Sequence, residues 1–515
     1  MTKVLYVPLD ERACNYRYPQ ALAQMARGVE LLVPPKEWMG FCKRPADVEK
    51  LWAWVFSHAS ECEYAILSVD TLVYGNIVGS RIHQRSEAEC QALLDRFAKL
   101  KQTHPALHIH AFHLVARVAA YNNAAEDPDY WALHGANIWR FGYLTDRQRR
   151  GLGGSEEEAE LERLRSAIPP PAFEDFLRRR KTDLATNLRC VELTVQGVFD
   201  VLTIPKDDTA EYGYAAMDQQ AVAELVRKKR LMGRVLVYPG ADEVGCVLFA
   251  RVFNFITGYV PRVYPRFSSV LGPQIVPLYE DRPLYESVKS QIVSAGGVCV
   301  ESAMESDCLL AINSPGKAMI EAAAQDEKDI SFSSHINMHE LLRYIHYYHT
   351  HYQKPIGLAE VSVCNGCENE FMTYALQSGV LNEVSAVGGW NTAQNTIGVV
   401  LAQTVIAAHE NGFAGRPAQL DAMKRQNAHA LIADWLFQSN VLPQFLKETE
   451  GKIDAFALGD HAGEALDCIV SRLKPLIRET LGSVHIENPG FDWDMARMFT
   501  FDVRLDETTK GDSPQ

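Results

Sequence analysis

The sequence predicts an α/β protein with an N-terminal (β/α) barrel-like domain, a C-terminal α/β region and a helical tail. Short apolar runs such as Tyr64–Val69 and Arg234–Tyr238 alternate with helical stretches in the first half of the chain, which is typical of a parallel sheet covered by helices. Charged residues follow these runs, at the strand ends where such sheets carry their sites. The 515 residues exceed what one hydrophobic core usually serves, which predicts two or three domains.

Residues 1–260 are predicted to form the barrel-like catalytic domain. Its candidate strands end at polar clusters and are Val4–Leu9, Glu30–Val33, Tyr64–Val69, Leu107–Val115, Val198–Ile204 and Arg234–Tyr238. The stretch Gly151–Lys181 interrupts the strands with a glycine-rich loop and a helix, so a helical insertion is predicted at about 120–185. No strand precedes those glycines and no Lys-Ser/Thr pair follows them, which argues against a phosphate-binding loop.

A second α/β domain is predicted at 261–400, where it would contribute to the site. Its candidate strands are Val298–Ser302, Cys308–Asn313, Pro355–Val361 and Val384–Val387. Ala402–His409 and Ala428–Phe437 have helical character, so residues 401–515 are predicted to form a helical C-terminal region.

Composition and charge argue against several classes of protein. The net charge is −14 without a basic block, so nucleic acid is not an expected partner. The mean hydropathy is −0.15, and no apolar run approaches the ~20 residues that span a bilayer. The eleven cysteines are scattered and the N-terminal segment has no signal-peptide pattern, which predicts a cytoplasmic protein with reduced thiols. Whether it forms a homo-oligomer stays open.

The segment Val235–Arg251 carries the most informative pair of acids. A buried strand ends at Pro239-Gly240, Asp242 and Glu243 follow, and a helix opens. Adjacent buried carboxyls repel each other, so that one pKa rises and one acid stays protonated while the other is ionised. Glycoside hydrolysis needs that division between a proton donor and an anion. The alternative is that both acids lie here only because the dipole at a helix N-terminus stabilises negative charge.

Five segments together resemble a bacterial family long catalogued as a domain of unknown function. They are LYVPLDERACN (5–15), SVDTLVYGNIVGSR (Ser68–Arg81), PKDDTAEYG (Pro205–Gly213), YPGADEVG (238–245) and GGWNTAQNTIG (Gly388–Gly398). The GADE string is similar to the Gly-Gly-Asp-Glu type of motif in retaining β-N-acetylhexosaminidases. The family itself resembles retaining β-N-acetylgalactosaminidases, which are glycoside hydrolases. The sequence departs from the family at Ala13, where Pro often follows the Arg, and at Asn76, where a second Gly is common.

This resemblance implies an exo-β-N-acetylgalactosaminidase that removes terminal β-linked N-acetylgalactosamine with retention of configuration. The acetamido oxygen of the substrate would attack the anomeric carbon to give an oxazolinium ion. Asp242 would stabilise that group and Glu243 would be the general acid/base. The implied sugar contacts are Asp10, Arg12, Asp70, Tyr74, Asp208, Trp390, Asn391 and Asn395. The galacto configuration rests on the resemblance, no cofactor or metal is expected, and the expected partner is a small glycoside or oligosaccharide that contains this sugar.

The residue types agree with a sugar site, because such sites combine carboxylates and amides with an aromatic face. Trp390 follows a glycine pair and could present that face on a loop, or it could pack in the core. Cys364-Asn365-Gly366-Cys367 has no second CxxC to complete a zinc site. Its polar neighbours make Asn365 a further candidate for contact with the substrate.

Three alternatives stay open at this point. Asp207 and Asp208 form a rival pair of acids. His108 and His110 share one face of a strand, and together with strand-end aspartates they would suit a metal-dependent hydrolase. A protein that binds the amino sugar without turning it over is the third class.

Overall fold

The N-terminal half of the chain folds around a parallel sheet of six strands in the computed structural model, which describes residues 1–506. Each strand overlaps one of the six predicted runs; they are β1 (Thr2–Val7), β2 (Val29–Leu32), β3 (Tyr64–Ser68), β4 (His108–Phe112), β5 (Val201–Lys206) and β6 (Val235–Pro239). Residues 507–515, the end of the predicted C-terminal region, lie outside the described residues. Every residue of β3 and β5 is buried, as expected for strands covered on both faces.

The predicted barrel is corrected to an open sheet. The strand order is β2-β1-β3-β4-β5-β6, and within residues 1–506 β2 pairs only with β1 and β6 only with β5. A closed barrel would join its first and last strands, whereas here β1 lies inside the sheet and β2 turns back to one edge. Strands alternating with helices occur in both folds, so the pattern predicted the parallel sheet without predicting closure.

A second parallel sheet forms in the region predicted as a second α/β domain. Residues 262–388 contain β7 (Arg262–Phe267), β8 (Val298–Cys299), β9 (Cys308–Asn313), β10 (Ile320–Glu321), β11 (Ile356–Glu360), β12 (Val363–Cys364) and β13 (Ala386–Gly388). Five of these strands lie in the order β8-β7-β9-β11-β13, and β10 pairs with β12 separately. The order β8-β7-β9 reverses direction in the same way as β2-β1-β3, so both sheets are doubly wound.

Helices cover both sheets. In chain order they are α1 (Ala13–Tyr16), α2 (Tyr18–Met25), α3 (Val48–His58), α4 (Val69–Tyr74), α5 (Ile77–Ile82), α6 (Glu87–Thr103), α7 (Trp131–Arg149), α8 (Ser155–Ala167), α9 (Pro170–Val195), α10 (Tyr214–Lys228), α11 (Val244–Thr257), α12 (Leu284–Ser294), α13 (Ser331–Ser334), α14 (Met338–Tyr352), α15 (Asn369–Gln377), α16 (Ala393–His409), α17 (Pro417–Ala430), α18 (Leu442–Thr449) and α19 (Ala462–Leu481). Helices α7, α8 and α9 lie between β4 and β5. None of the helices within residues 1–506 is both long and apolar enough to cross a membrane.

The C-terminal part is helical, as predicted, with two features that the sequence analysis did not predict. The stretch Leu431–Val441 between α17 and α18 is a π-helix, a rare form that is frequent at functional sites. After α19 the chain forms an antiparallel ribbon of β14 (Val484–Phe491) and β15 (Phe499–Leu505).

Helices α11 and α16 join the two sheets. Both are apolar on nearly every face, with Val247, Phe249 and Phe253 on α11 and Ile397 and Leu401 on α16 fully buried in one core cluster. A helix that is apolar all round belongs inside a protein. Since α11 follows β6 and α16 follows β13 directly, their packing brings the carboxyl ends of the two sheets together.

Candidate active site

Loops from the carboxyl edges of both sheets line a cavity of about 430 Å³. The first sheet contributes the loops after β1, β4, β5 and β6, the second sheet contributes the loop after β13, and the separate β10·β12 pair contributes the loop after β12. This edge is where open α/β sheets bind their ligands. Of the residues predicted from the sequence, those lining the cavity are Arg12, Asp207, Asp208, Asp242, Asn365, Trp390, Asn391 and Asn395.

Asp207 and Asp208 follow β5, and the protein gives the two carboxyls different proton affinities. The Arg81 Nη2 donates to Asp207 Oδ2 at 2.6 Å; burial opposes ionisation, but Arg81 and Arg117 hold the pKa of Asp207 below its ordinary value. Burial and the charge of Asp207 raise the pKa of Asp208 to about 6. Asp207 is therefore an anion next to an acid that gains and loses a proton near neutral pH.

The backbone and exposure of Asp208 suit a reacting group. Its side chain is 24% exposed, and Arg117 Nη1 donates to its Oδ2 at 3.2 Å. Its φ is +31°, which is uncommon for a residue other than glycine although aspartate tolerates it better than most. Backbone strain of this kind is concentrated at functional sites.

A lattice of arginines and carboxylates supports the acid pair. Arg81 also donates to Glu126 at 2.9 Å, and Arg117 donates to Asp127 at 2.7 Å. Arg497, from the C-terminal ribbon, contacts Glu126 as well. Because these guanidinium groups each pair with a carboxylate, the cavity offers little spare positive charge to an anionic ligand.

Asp242 lies at the cavity with all of its acceptor positions filled. Arg12 donates to both carboxylate oxygens, at 2.5 and 3.1 Å, Asn15 donates to Oδ1 at 3.1 Å, and Asn391 donates to Oδ2 at 2.9 Å. A carboxylate offers about four acceptor sites, so these four donors saturate it. Burial raises the pKa of Asp242 and Arg12 opposes that shift. Asp10, also predicted as a sugar contact, is fully buried and is linked to the site through Arg12 and Asn15, which both donate to it and to Asp242.

Glu243 lies beneath the loop rather than at the cavity surface. It is fully buried, and its Oε2 accepts from the Ala241 N–H at 2.9 Å while Gln291 Nε2 donates to its Oε1 at 2.8 Å. Burial raises the pKa of Glu243 to about 8. Gly240 has φ +139°, and a Cβ at this position would overlap the Glu243 carboxyl. A Cβ at Gly398 would overlap the methylene groups of Glu243. This packing makes Glu243 a group that shapes the loop.

Asn395 holds the same loop from the second sheet. Its Oδ1 accepts from the N–H of Ala241 at 3.1 Å and from the N–H of Asp242 at 3.0 Å. Since Asn395 is in the first turn of α16, the packing of α16 on α11 determines where Asp242 lies.

Two loops with asparagines, after β12 and after β13, also line the cavity. Asn365 and Asn391 have φ of +58° and +68°, a region that asparagine tolerates. The Asn365 N–H donates to the Asn391 carbonyl at 2.9 Å, and its Nδ2 donates to Glu321 at 2.9 Å. Trp390 between them lines the cavity and is partly exposed, so it is not a core tryptophan.

Asp70 and Tyr74 are away from the cavity. Asp70 is fully buried and accepts from the Leu114 N–H at 3.1 Å, and burial raises its pKa. The Tyr74 hydroxyl donates to Thr186 at 2.9 Å and its ring stacks on His83. Both residues lie in α4, which turns them into the core beside the sheet.

Sequence reasoning missed several groups at the cavity. Tyr121, Tyr279 and Phe456 are each more than a third exposed and line it, as do Arg81 and the other lattice arginines described above. Arg81 is the last residue of the SVDTLVYGNIVGSR segment, so the resemblance to the family could have identified it as a candidate site residue. Tyr121 and Phe456 lie in irregular segments that carried none.

The residues of the alternative metal site lie elsewhere. His108 begins β4 and His110 lies at the middle of that strand, and neither residue lines the cavity. His108 is near Asp200 at 3.3 Å, and burial lowers the pKa of His110 to about 3. In the described part of the chain, no group of three or more His, Cys, Asp or Glu side chains is arranged to hold a metal ion.

Comparison with known proteins identifies the family. The model of a family described as "Protein of unknown function (DUF4127)" matches residues 4–504. The chain belongs to this family. The match confirms the domain of unknown function expected from the five sequence segments, and it carries no statement about glycosidase activity. No curated protein matches the sequence.

Among solved structures, the carboxyl transferase domain of Rhizobium etli pyruvate carboxylase with 3-bromopyruvate is similar over 87% of this chain and 53% of that chain, at 9% identity and a TM-score of 0.21. This chain thus spans about half the length of that one. A TM-score at this level does not indicate a shared fold.

Proposed function

We propose that the protein is a retaining exo-glycosidase that removes terminal β-linked N-acetylgalactosamine by a substrate-assisted mechanism, with Asp208 as general acid/base and Asp207 as the carboxylate beside the acetamido group. The observation that carries the proposal is the unequal pair at the cavity: the pKa of Asp207 is held low by Arg81 and Arg117, and that of Asp208 is raised to about 6 by burial and by Asp207. The resemblance to β-N-acetylgalactosaminidases supplies the choice of sugar.

In this proposal Asp207 and Asp208 take the catalytic roles that the sequence analysis expected for Asp242 and Glu243. Asp242 has four donors on its two oxygens, so it has no acceptor position left for an acetamido N–H. Glu243 is buried beneath the loop, so its proton does not reach a glycosidic oxygen in the cavity. Asp242 instead supplies negative charge near the developing cation, and Glu243 positions its loop.

In the proposed first step, the acetamido carbonyl oxygen attacks the anomeric carbon while Asp208 donates its proton to the departing glycosidic oxygen. The glycosidic C–O bond breaks, the aglycone leaves as an alcohol, and an oxazolinium ion forms whose N–H faces the Asp207 carboxylate. In the second step, Asp208 takes a proton from water and the water oxygen bonds to the anomeric carbon. The bond from that carbon to the acetamido oxygen breaks, so that the oxazolinium ring opens and the sugar leaves as the β-anomer. The two attacks on one carbon give net retention.

The rest of the cavity fits a neutral sugar. Amide groups of Asn365 and Asn391 and the partly exposed rings of Trp390, Tyr121 and Tyr279 line it. Polar groups for hydroxyls and aromatic faces for the apolar side of the ring are what a sugar requires. The paired arginines disfavour a sulfated or phosphorylated sugar.

The test is hydrolysis of p-nitrophenyl β-N-acetylgalactosaminide by the full-length protein, with the anomeric configuration of the first product followed by NMR. The proposal predicts release of p-nitrophenol and initial formation of β-N-acetylgalactosamine. Initial formation of the α-anomer would contradict the substrate-assisted mechanism. Binding of N-acetylgalactosamine in calorimetry without any hydrolysis would favour the alternative of a non-catalytic sugar-binding protein.

We also propose the cytoplasmic location expected from the sequence. All eleven cysteines are free thiols, most of them buried, which is the state that a reducing compartment maintains.

A further inference from the structure

One wall of the cavity is apolar, and it comes from the C-terminal region rather than from the sheets. This apolar wall is formed by side chains of α18, of the loop before α19 and of the turn before β15: Leu442, Pro443, Leu446, Ala455, Phe456 and Met498. Leu446 is 38% exposed and Phe456 is 46% exposed. Two large apolar side chains thus face the cavity without being covered by the protein.

The apolar wall is held next to the acid pair. Arg497 precedes Met498 and contacts Glu126, which in turn bonds to Arg81, the partner of Asp207. The Arg497 guanidinium also lies 6.0 Å from the centre of the Phe456 ring. The acid pair and the apolar wall line the same cavity, so a ligand whose reacting centre is at the acid pair can reach this wall.

The chemistry of the wall distinguishes between two kinds of leaving group. A second sugar would bring several hydroxyls, and each hydroxyl that loses water without gaining a partner costs binding free energy. The six side chains of the wall offer no hydrogen-bonding group. An alkyl or aryl group loses no hydrogen bond there, and burying it is favourable.

We propose that the apolar wall is the aglycone subsite, and that the natural leaving group is an apolar alkyl or aryl alcohol rather than a second sugar. The inference rests on the proposed glycosidase function. It goes beyond that function by naming the class of substrate, an amino-sugar glycoside with a hydrophobic aglycone. Substrates of this class combine a neutral sugar head with an apolar tail.

The experiment compares the binding of methyl and hexyl β-N-acetylgalactosaminide by calorimetry, in an Asp208→Asn background that prevents turnover. A fully buried methylene strengthens binding about fourfold, so five additional ones that are partly buried are expected to give at least about a tenfold tighter complex. Combining Leu446→Ser with Phe456→Ser should reduce that preference to below about threefold while leaving the affinity for the methyl glycoside unchanged. Leu133→Ser, at a 72% exposed position on α7, is the matched control and should keep the full preference.

The outcomes separate this inference from the function on which it rests. Equal affinities for the two glycosides in the Asp208→Asn protein, or a hexyl preference that survives the double substitution, would overturn the aglycone subsite and leave the glycosidase proposal standing. Failure of both glycosides to bind would overturn the proposed sugar site and the subsite together.

Discussion

Asp208→Asn is the substitution that distinguishes the acid pair most sharply from the other carboxyls of the site. Asparagine keeps the size of the side chain and an oxygen that can accept from Arg117, whose Nη1 is 3.2 Å from Asp208 Oδ2. It has no acidic proton that it can transfer to the leaving group. General acid catalysis contributes ~10²–10⁴-fold, which corresponds to about 3–5 kcal/mol of transition-state stabilisation. We expect kcat/KM for an alkyl β-N-acetylgalactosaminide to fall by that factor. The loss with a p-nitrophenyl leaving group should be smaller, since it needs little protonation.

The pH profile gives the same prediction a second readout. Because the acid must be protonated in the free enzyme, and burial and Asp207 raise the pKa of Asp208 to about 6, the active fraction is about one half at pH 6 and about one tenth at pH 7. We expect kcat/KM of the wild-type protein to fall roughly tenfold per pH unit above about pH 6. That descending limb should be absent in Asp208→Asn.

Asp127→Asn is the matched control. Asp127 pairs with the same arginine, Arg117, at 2.7 Å, so the substitution removes a neighbouring charge without removing a carboxyl from the cavity. An Asp208→Asn protein with wild-type rates and an unchanged pH profile would refute the reasoning. So would an equal loss of activity in the folded Asp127→Asn protein.

Three further predictions test the loop after β6. Glu243→Gln should retain hydrolysis within about threefold. Because burial raises the pKa of Glu243 in the folded protein to about 8, the wild-type protein should lose stability as pH rises from about 4.5 towards 8. An equal fall of the thermal midpoint over this pH range in Glu243→Gln would disprove this. Asn395→Ala leaves the buried Asp242 N–H without its acceptor, at ~1–3 kcal/mol, whereas the Ala241 N–H keeps Glu243 Oε2 as an acceptor. The substitution should lower kcat about 5- to 150-fold in steady-state kinetics; an effect on KM alone would count against it. Gly240→Ala should lower the thermal midpoint more than Gly197→Ala, because a Cβ at Gly240 overlaps Glu243 whereas one at Gly197 meets open space; equal shifts would argue against the packing.

Local pattern was sufficient to predict much of the fold. Runs such as Tyr64–Val69 and Arg234–Tyr238 end at turn residues, and the structure has β3 and β6 there. Strand β7 (Arg262–Phe267) was not predicted, since RVYPRF contains charged residues and a proline. Closure was mispredicted, because whether β2 follows β1 or turns back past it depends on long-range packing that the local pattern does not contain.

The site was predicted in part for a similar reason. The acids at strand ends reach one cavity because parallel strands share an edge, as for Asp208 and Asp242. Which acid faces the cavity could not be predicted, because adjacent residues point in different directions once a loop begins. Glu243 is turned under its loop by Gln291, 48 positions further along the chain, and a partner so distant leaves no local signal.

The supporting lattice was beyond prediction from the sequence alone. Arg81 and Asp207 are separated by 126 positions, and Arg497 and Glu126 by 371. Residues at such separations become neighbours only through the packing of whole domains. The rival pair of Asp207 and Asp208 was visible in the sequence, but its unequal proton affinities depend on these distant arginines.

The most direct measurement is a crystal structure with the thiazoline analogue of N-acetylgalactosamine, which mimics the oxazolinium ion. We predict the sugar ring in the 430 Å³ cavity, the ring nitrogen within hydrogen-bond distance of Asp207, and Asp208 at about 3 Å from the position of the glycosidic oxygen. A complex in which the sugar lies outside this cavity, or in which Glu243 has turned out to the anomeric carbon while Asp208 faces away, would contradict the account.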